Sequence, residues 1–402
     1  MATSGRRRRR VAGAAALPLV LALAVSGCDQ GGNESTVSLT GTAPPSPQGS
    51  GVPQAPNTDP TSTDDPSPAP GNDGTKNNAP KVVDTIATGL AAPWGLDFFP
   101  DGDAIVTERD TQRVLRISSG RRHRVSVLGV LDAAAPEGEG GLLGVAVSPD
   151  FETDQTIYLY LTTGSDNRVV RTQVVNGGLT PLEVLLDGIP NGFIHDGGRL
   201  EFGPDGYLYV STGESGTPAL AQDRDSLGGK VLRITTDGEP APDNPSDSPI
   251  WTLGHRNVQG LAFDERGNLW ASEFGQDAFD ELNKIVAGGN YGWPQVEGTG
   301  GPDAPRRFTD PQQTWDVADA SPSGLAYADG FLWMAALRGE RLWRVKLKGG
   351  RAVDRTAYFV GDYGRMRTIA RAPDGTLWVT TSNRDGRGDP ADGDDRILRL
   401  RP

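Results

Sequence analysis

The chain has 402 residues, among them 54 glycines, 31 prolines, one cysteine and three histidines, and only 36% of it is hydrophobic. The Gly and Pro load argues for turn-dense β structure over long helices, while one cysteine excludes a disulfide framework and three histidines leave little material for a zinc site. A net charge of −13 excludes sequence-independent binding to nucleic-acid phosphates, so no nucleic-acid partner is expected.

The chain opens on five arginines, Arg6 to Arg10, followed by an apolar run from Val11 to Val25 and then Ser26-Gly27-Cys28. A positive stretch, a short apolar stretch and small residues are the layout of a secretory signal. The apolar run is too short for a good membrane span. Cys28 stands where bacterial lipoprotein signals place their lipidated residue. The segment 1–28 therefore resembles a lipoprotein signal, which implies export and a lipid anchor on the outer face of a bacterial membrane. A plain signal peptide with a leftover cysteine is the alternative. Residues 29–80 hold ten prolines and no aromatic residue. Such a segment cannot bury enough apolar surface to offset its ordering entropy and reads as a disordered linker. The folded body is then 81–402, and it carries the acidity, because the charges of the signal and the linker cancel.

Within the body one unit recurs: an alternating strand, a Pro-Asp-Gly-like turn and a second alternating strand. It begins at Leu96, Val145, Leu200, Leu261, Leu325 and Ile369. Pro100-Asp101-Gly102, Pro204-Asp205-Gly206 and Pro373-Asp374-Gly375 are hairpin chemistry. Ser148-Pro149-Asp150 is read as the same turn. Six hairpins spaced roughly 45–63 residues apart predict an all-β, six-bladed β-propeller, with one four-stranded sheet per blade. The loops between blades converge on one face around the axis, where chemistry is expected.

Three histidines are available. His123 lies in a basic run, Arg121 to Arg124, and reads as solvated surface. His195 precedes Asp196-Gly197-Gly198-Arg199, and His255 precedes Arg256-Asn257, each just ahead of a repeat. Arg365 and Arg367 stand two apart, hence on one face of a strand; an exposed face is the plain alternative. The segment Glu273 to Glu281 is rich in acidic and carbonyl oxygens, the right hard ligands for calcium, or else a solvated connection. The five aspartates between Asp385 and Asp395 read as an exposed loop, with less claim to a metal.

These segments together resemble a known family. Ala92-Pro93-Trp94-Gly95-Leu96, Gly140 to Gly144, His195 to Gly213, Ser226 to Arg233, Gly254 to Gly260, Asn290 to Pro294, Gly364 to Arg367 and Asp394 to Arg399 match, in order, the soluble sugar dehydrogenases that depend on pyrroloquinoline quinone (PQQ), the glucose/sorbosone and aldose sugar dehydrogenases. The resemblance covers nearly all of 81–402. It implies PQQ and Ca2+ as cofactors, a sugar oxidised at its anomeric hydroxyl with hydride transfer to PQQ, and an electron acceptor that it does not identify. It assigns His195 as the general base, a task that suits an imidazole. Arg256, Asn257, Arg338, Arg365 and Arg367 become cofactor contacts, and arginine forks suit carboxylates. Carbonyls at Gly275 and Gln276 would hold a calcium at the quinone, and oxygens of Glu281 and Tyr291 a second, structural one.

Three positions depart from that family. Glu139 replaces a glutamine among the cofactor contacts, and its carboxylate would repel an anion unless protonated or paired with an arginine. Ile194 replaces an aspartate and cannot hydrogen-bond a sugar hydroxyl, so glucose is a poor expectation. Arg338 replaces a lysine and keeps the charge. Two other functions remain open: a non-catalytic propeller binding a glycan at the cell surface, and a calcium-dependent lactonase-type hydrolase.

Overall fold

A ring of six antiparallel sheets surrounds one axis in the computed structural model, which describes residues 79–120, 122–300 and 307–402. Cys28, the signal-like segment and nearly all of the linker lie outside the described residues. Blade one is built from Pro93–Phe98, Ala104–Glu108, Arg113–Ile117 and Val125–Val130. Blade two starts at Leu142–Val147, blade three at Leu200–Phe202, blade four at Val258–Phe263, blade five at Pro322–Ala328 and blade six at Met366–Arg371. Each of these innermost strands contains one of the six repeat starts, as the hairpin pattern predicts.

The ring closes by joining the ends of the body. The strand Lys81–Ala87 pairs antiparallel with the last strand, Ile397–Arg401, in a register that sets Lys81 opposite Arg401 and Ala87 opposite Ile397. Closure leaves blade six with its full four strands and no open side at the junction.

Between neighbouring blades the core is aromatic and branched. Trp94 of blade one packs with Tyr158 and Tyr160 of blade two and with Leu200 and Leu208 of blade three. At the glycines near the axis there is no room for a side chain. A Cβ on Gly144 would meet the Gly198 carbonyl at 2.1 Å, and one on Gly260 the Ser323 carbonyl at 2.3 Å. Interiors packed this tightly resist added atoms.

The residue preceding each repeat start forms a ring around the axis: Gly95, Gly144, Arg199, Gly260, Gly324 and Thr368. Arg199 is the one large member. Its guanidinium lies 4.3 Å over the Trp94 ring and donates to the Gln259 carbonyl at 2.9 Å and to Thr368 Oγ1, on the opposite blade, at 3.1 Å. Arg199 plugs the axis.

One repeat departs from expectation. After Ser148-Pro149-Asp150 the chain makes a single helical turn, Phe151–Asp154, instead of a tight hairpin, because no glycine follows Asp150 and Phe151 is buried under the turn.

Candidate active site

Because strands alternate in direction, the residues before each innermost strand and after each second strand gather on one face. There they line a cavity of about 290 Å3 that holds Arg109, Glu139, His195, Arg256, Asn257, Arg338, Arg365, Arg367, Asp385 and Arg387. A larger cavity, about 490 Å3, opens at the opposite face among the hairpin turns and contains no histidine.

His195 sits just ahead of the innermost strand of blade three, in a left-handed conformation with φ of 63°. A residue with a side chain adopts that conformation only where its surroundings hold it. Here the His195 N–H donates to Glu139 Oε2 at 3.0 Å, and its carbonyl accepts the Ser215 N–H at 3.1 Å. Nδ1 of the ring is hydrogen-bonded to Glu214 Oε1. Glu214 is 1% exposed, and its other oxygen is buried without a partner. That leaves Nε2 facing the cavity. A carboxylate on Nδ1 fixes the tautomer and would stabilise the imidazolium that forms when Nε2 takes a proton.

Arg365 and Arg367 are 8% and 5% exposed, so the exposed-face alternative fails. Both donate to one oxygen of Asp385, at 3.0 and 3.1 Å. Burial tends to raise the Asp385 carboxyl, but the Arg367 and Arg365 charges overcome it and hold the carboxyl low. Burial pulls Arg367 down to about 10. Two buried cations thus share a single anion. The 385–395 segment is an exposed loop over most of its length, as expected, but its far end is buried: Asp394 and Asp395 are 2% and 0% exposed and cap backbone N–H groups of their own blade.

Arg256 stacks 5.5 Å from the Trp293 ring centroid, and its Nε is buried with no partner. Asn257 braces the histidine loop, its Oδ1 accepting the Gly197 N–H at 3.1 Å. Arg338 is exposed on the rim. Glu139 is paired with an arginine, which removes the expected repulsion: its Oε1 accepts Arg387 Nη1 at 2.8 Å. Burial pushes this carboxyl up, yet the His195 N–H and the Arg387 charge outweigh burial and hold it below its ordinary value.

The other histidines are structural. His255 is fully buried between Glu273, on Nδ1 at 2.7 Å, and Thr252, on Nε2 at 2.9 Å. His123 is not simple solvated surface: it is half-buried, 3.1 Å from Asp84 and edge-on to Trp378.

Of the four calcium positions, Gly275 lines the cavity, while Gln276 is exposed beside it. The N–H groups of both are taken by carboxylates, Asp280 and Glu297. Glu281 and Tyr291 lie deeper, grouped around Glu273. Asn283 Nδ2 bridges the Glu273 and Glu281 carboxylates at 3.1 and 2.9 Å, and Asn283 Oδ1 is buried without a partner. Burial, reinforced by Glu273, pushes the Glu281 carboxyl far above the ordinary carboxylate range. The Tyr291 hydroxyl is spent on the Lys284 carbonyl at 2.7 Å, so only its backbone oxygen is available. Two crowded carboxylates and an orphaned amide oxygen suit a hard cation. Among the described residues no group of three or more His, Cys, Asp and Glu side chains is arranged to hold a metal. The remaining ligands would therefore be amide and backbone oxygens.

Sequence reasoning missed Glu214, Arg109, Arg387 and the role of Asp385. Glu214 lies one residue beyond the matched segment His195 to Gly213, so the match itself came within one position of it.

A profile of the glucose/sorbosone dehydrogenase family matches residues 90–398. The PQQ-bound aldose sugar dehydrogenase of Streptomyces coelicolor is 53% identical, with a TM-score of 0.77, covering 80% of this chain and 97% of that one. The aldose sugar dehydrogenase of Escherichia coli is 30% identical over 76% of this chain and 91% of its own. Quinoprotein glucose dehydrogenase B of Acinetobacter calcoaceticus is 36% identical over 53% of this chain and 52% of its own.

Proposed function

Because the chain belongs to the glucose/sorbosone dehydrogenase family, whose members among its relatives are sugar-oxidising enzymes, we propose that it is a PQQ- and calcium-dependent dehydrogenase that oxidises an aldose or related sugar at the anomeric hydroxyl. The observation that carries this reading is the pairing of an oriented base with an under-neutralised arginine cluster in one cavity. Arg256 Nε without a partner, and Arg365 and Arg367 sharing one carboxylate, fit a polycarboxylate. Arg256, Arg338, Arg365 and Arg367 would hold PQQ, and Glu273, Glu281 and Asn283 a structural calcium. When bound, PQQ supplies the hydride acceptor. His195 Nε2 takes the hydroxyl proton while Glu214 stabilises the resulting charge on the ring, and Asn257 and Glu139 hold the histidine loop in place. Ile194 offers the sugar no hydrogen bond, which argues against glucose itself.

Reconstitution of purified protein with PQQ and calcium, followed by an absorbance titration and a dye-reduction panel of sugars, tests this. Saturable binding and turnover of at least one aldose are expected. Arg365→Ala removes a charged hydrogen bond worth about 1.5–3 kcal/mol and should weaken PQQ binding roughly 10- to 150-fold. Failure of the unaltered protein to bind PQQ with calcium present would leave the glycan-binding propeller as the better account. The proposed export and lipid anchoring rest on Cys28 after Val25-Ser26-Gly27. Cys28→Ala should release the protein from the membrane fraction, and unchanged fractionation would end that proposal.

A further inference from the structure

Arg387 spans the mouth of the cavity. It belongs to the segment that follows the second strand of blade six, Leu377–Thr381, yet its Nη1 reaches Glu139, which precedes blade two, 248 positions away in sequence. Its own backbone N–H is tied to Asp385 Oδ1 at 3.0 Å, and Asp385 anchors Arg365 and Arg367. At the far end, Glu139 grips the histidine loop twice. Its N–H donates to the Phe193 carbonyl at 3.0 Å, and its Oε2 accepts the His195 N–H at 3.0 Å. A continuous chain of hydrogen bonds thus runs from the arginine cluster through Asp385, Arg387 and Glu139 to the backbone of the base.

The charges along this chain explain why Arg387 is needed. Among the described residues Glu139 is the only lining carboxylate that touches the histidine backbone, and an anionic cofactor in the same cavity would be repelled by it. A half-buried carboxylate without a counter-ion responds by taking up a proton or swinging toward water, and either response would weaken its hold on the left-handed His195. Arg387 supplies the counter-charge from outside the cofactor's own arginines.

We propose that Arg387 is a positioning residue for the base: by neutralising Glu139, it lets that carboxylate hold the His195 backbone beside an anionic cofactor. The proposal rests on the PQQ-dependent reading above and adds to it a residue that acts through Glu139.

The test is a double-mutant cycle between Arg387 and Glu139, read in reconstituted enzyme and in apo-protein. Arg387→Ala should lower kcat and weaken PQQ binding about tenfold each, the effect of losing about 1.4 kcal/mol. Arg387→Lys, which keeps the charge, should recover most of both. In a Glu139→Gln background, where no charge needs balancing, Arg387→Ala should change either quantity less than about twofold, since the coupling exists only between interacting partners. Three histidines make the imidazole nitrogen signals of the apo-protein assignable, that of His195 by its loss in His195→Gln. Arg387→Ala should move the His195 signals and leave those of His255 in place. Equal penalties in both backgrounds, or unmoved His195 signals, would overturn the proposal. The apo signals decide it even if the unaltered protein proves not to bind PQQ, so the two failures are told apart.

Discussion

His195 and His255 show how one residue type takes two roles in equivalent settings. Each lies just ahead of an innermost strand, and each has a glutamate on Nδ1. What separates them is Nε2, held by Thr252 in His255 and facing the cavity in His195. On the proposed reading, His195→Gln should therefore cost turnover on the order of 10²–10⁴ and leave PQQ absorbance intact, because the arginines would hold the cofactor independently. His255→Gln should harm stability more than turnover, the two being read by thermal melting and dye reduction. Wild-type rates from His195→Gln would remove it from the mechanism. That His195, Arg256, Arg365 and Arg367 gather in one cavity was legible because they lie inside contiguous motifs. Their partners were not: Glu214 is 19 positions from His195, and Arg387 is 248 from Glu139. Charge pairing across a closed ring leaves no trace in local spacing.

At the level of strands and turns, the sequence was readable wherever one residue type had one job. Glycine after Pro-Asp marked the hairpins at Gly102, Gly206 and Gly375, all with positive φ. Phe151–Asp154 escaped because a single helical turn has no periodicity to detect. Glycine also has a second job that composition does not separate from the first, the close approach of blades at the axis. Gly144→Ala tests it. The new methyl would collide with a backbone carbonyl that cannot rotate away, an overpacking that costs about 1–3 kcal/mol. A Tm several degrees lower is expected, with reduced activity as well, since Gly198 belongs to the loop that carries His195. An unchanged Tm would mean that the blades can slide apart.

Across the whole molecule, acidity and burial meet in the lower axial cavity. Burial pushes Asp97 up to about 6, and burial with the neighbouring Asp97 charge pushes Glu201 up to about 8. Both values exceed the ordinary 3.8 and 4.5, so between those limits the folded state binds more protons than the unfolded one. Stability from these groups is present at low pH and is lost as pH rises through about 6–8. Glu201→Gln, which cannot ionise, should gain Tm relative to the unaltered protein as pH goes from 6 to 8.5; a constant difference across that range would refute the assignment. Just above this pair stands Arg199, bonded across the ring to Thr368. Its position turns what would be a tunnel into a vessel with one doorway. In the proposed dehydrogenase, sugar, oxidised product and electron acceptor would then queue for the same opening, and departure of the product before arrival of the acceptor would become a matter of traffic, enforced by one side chain at the bottom of the cup.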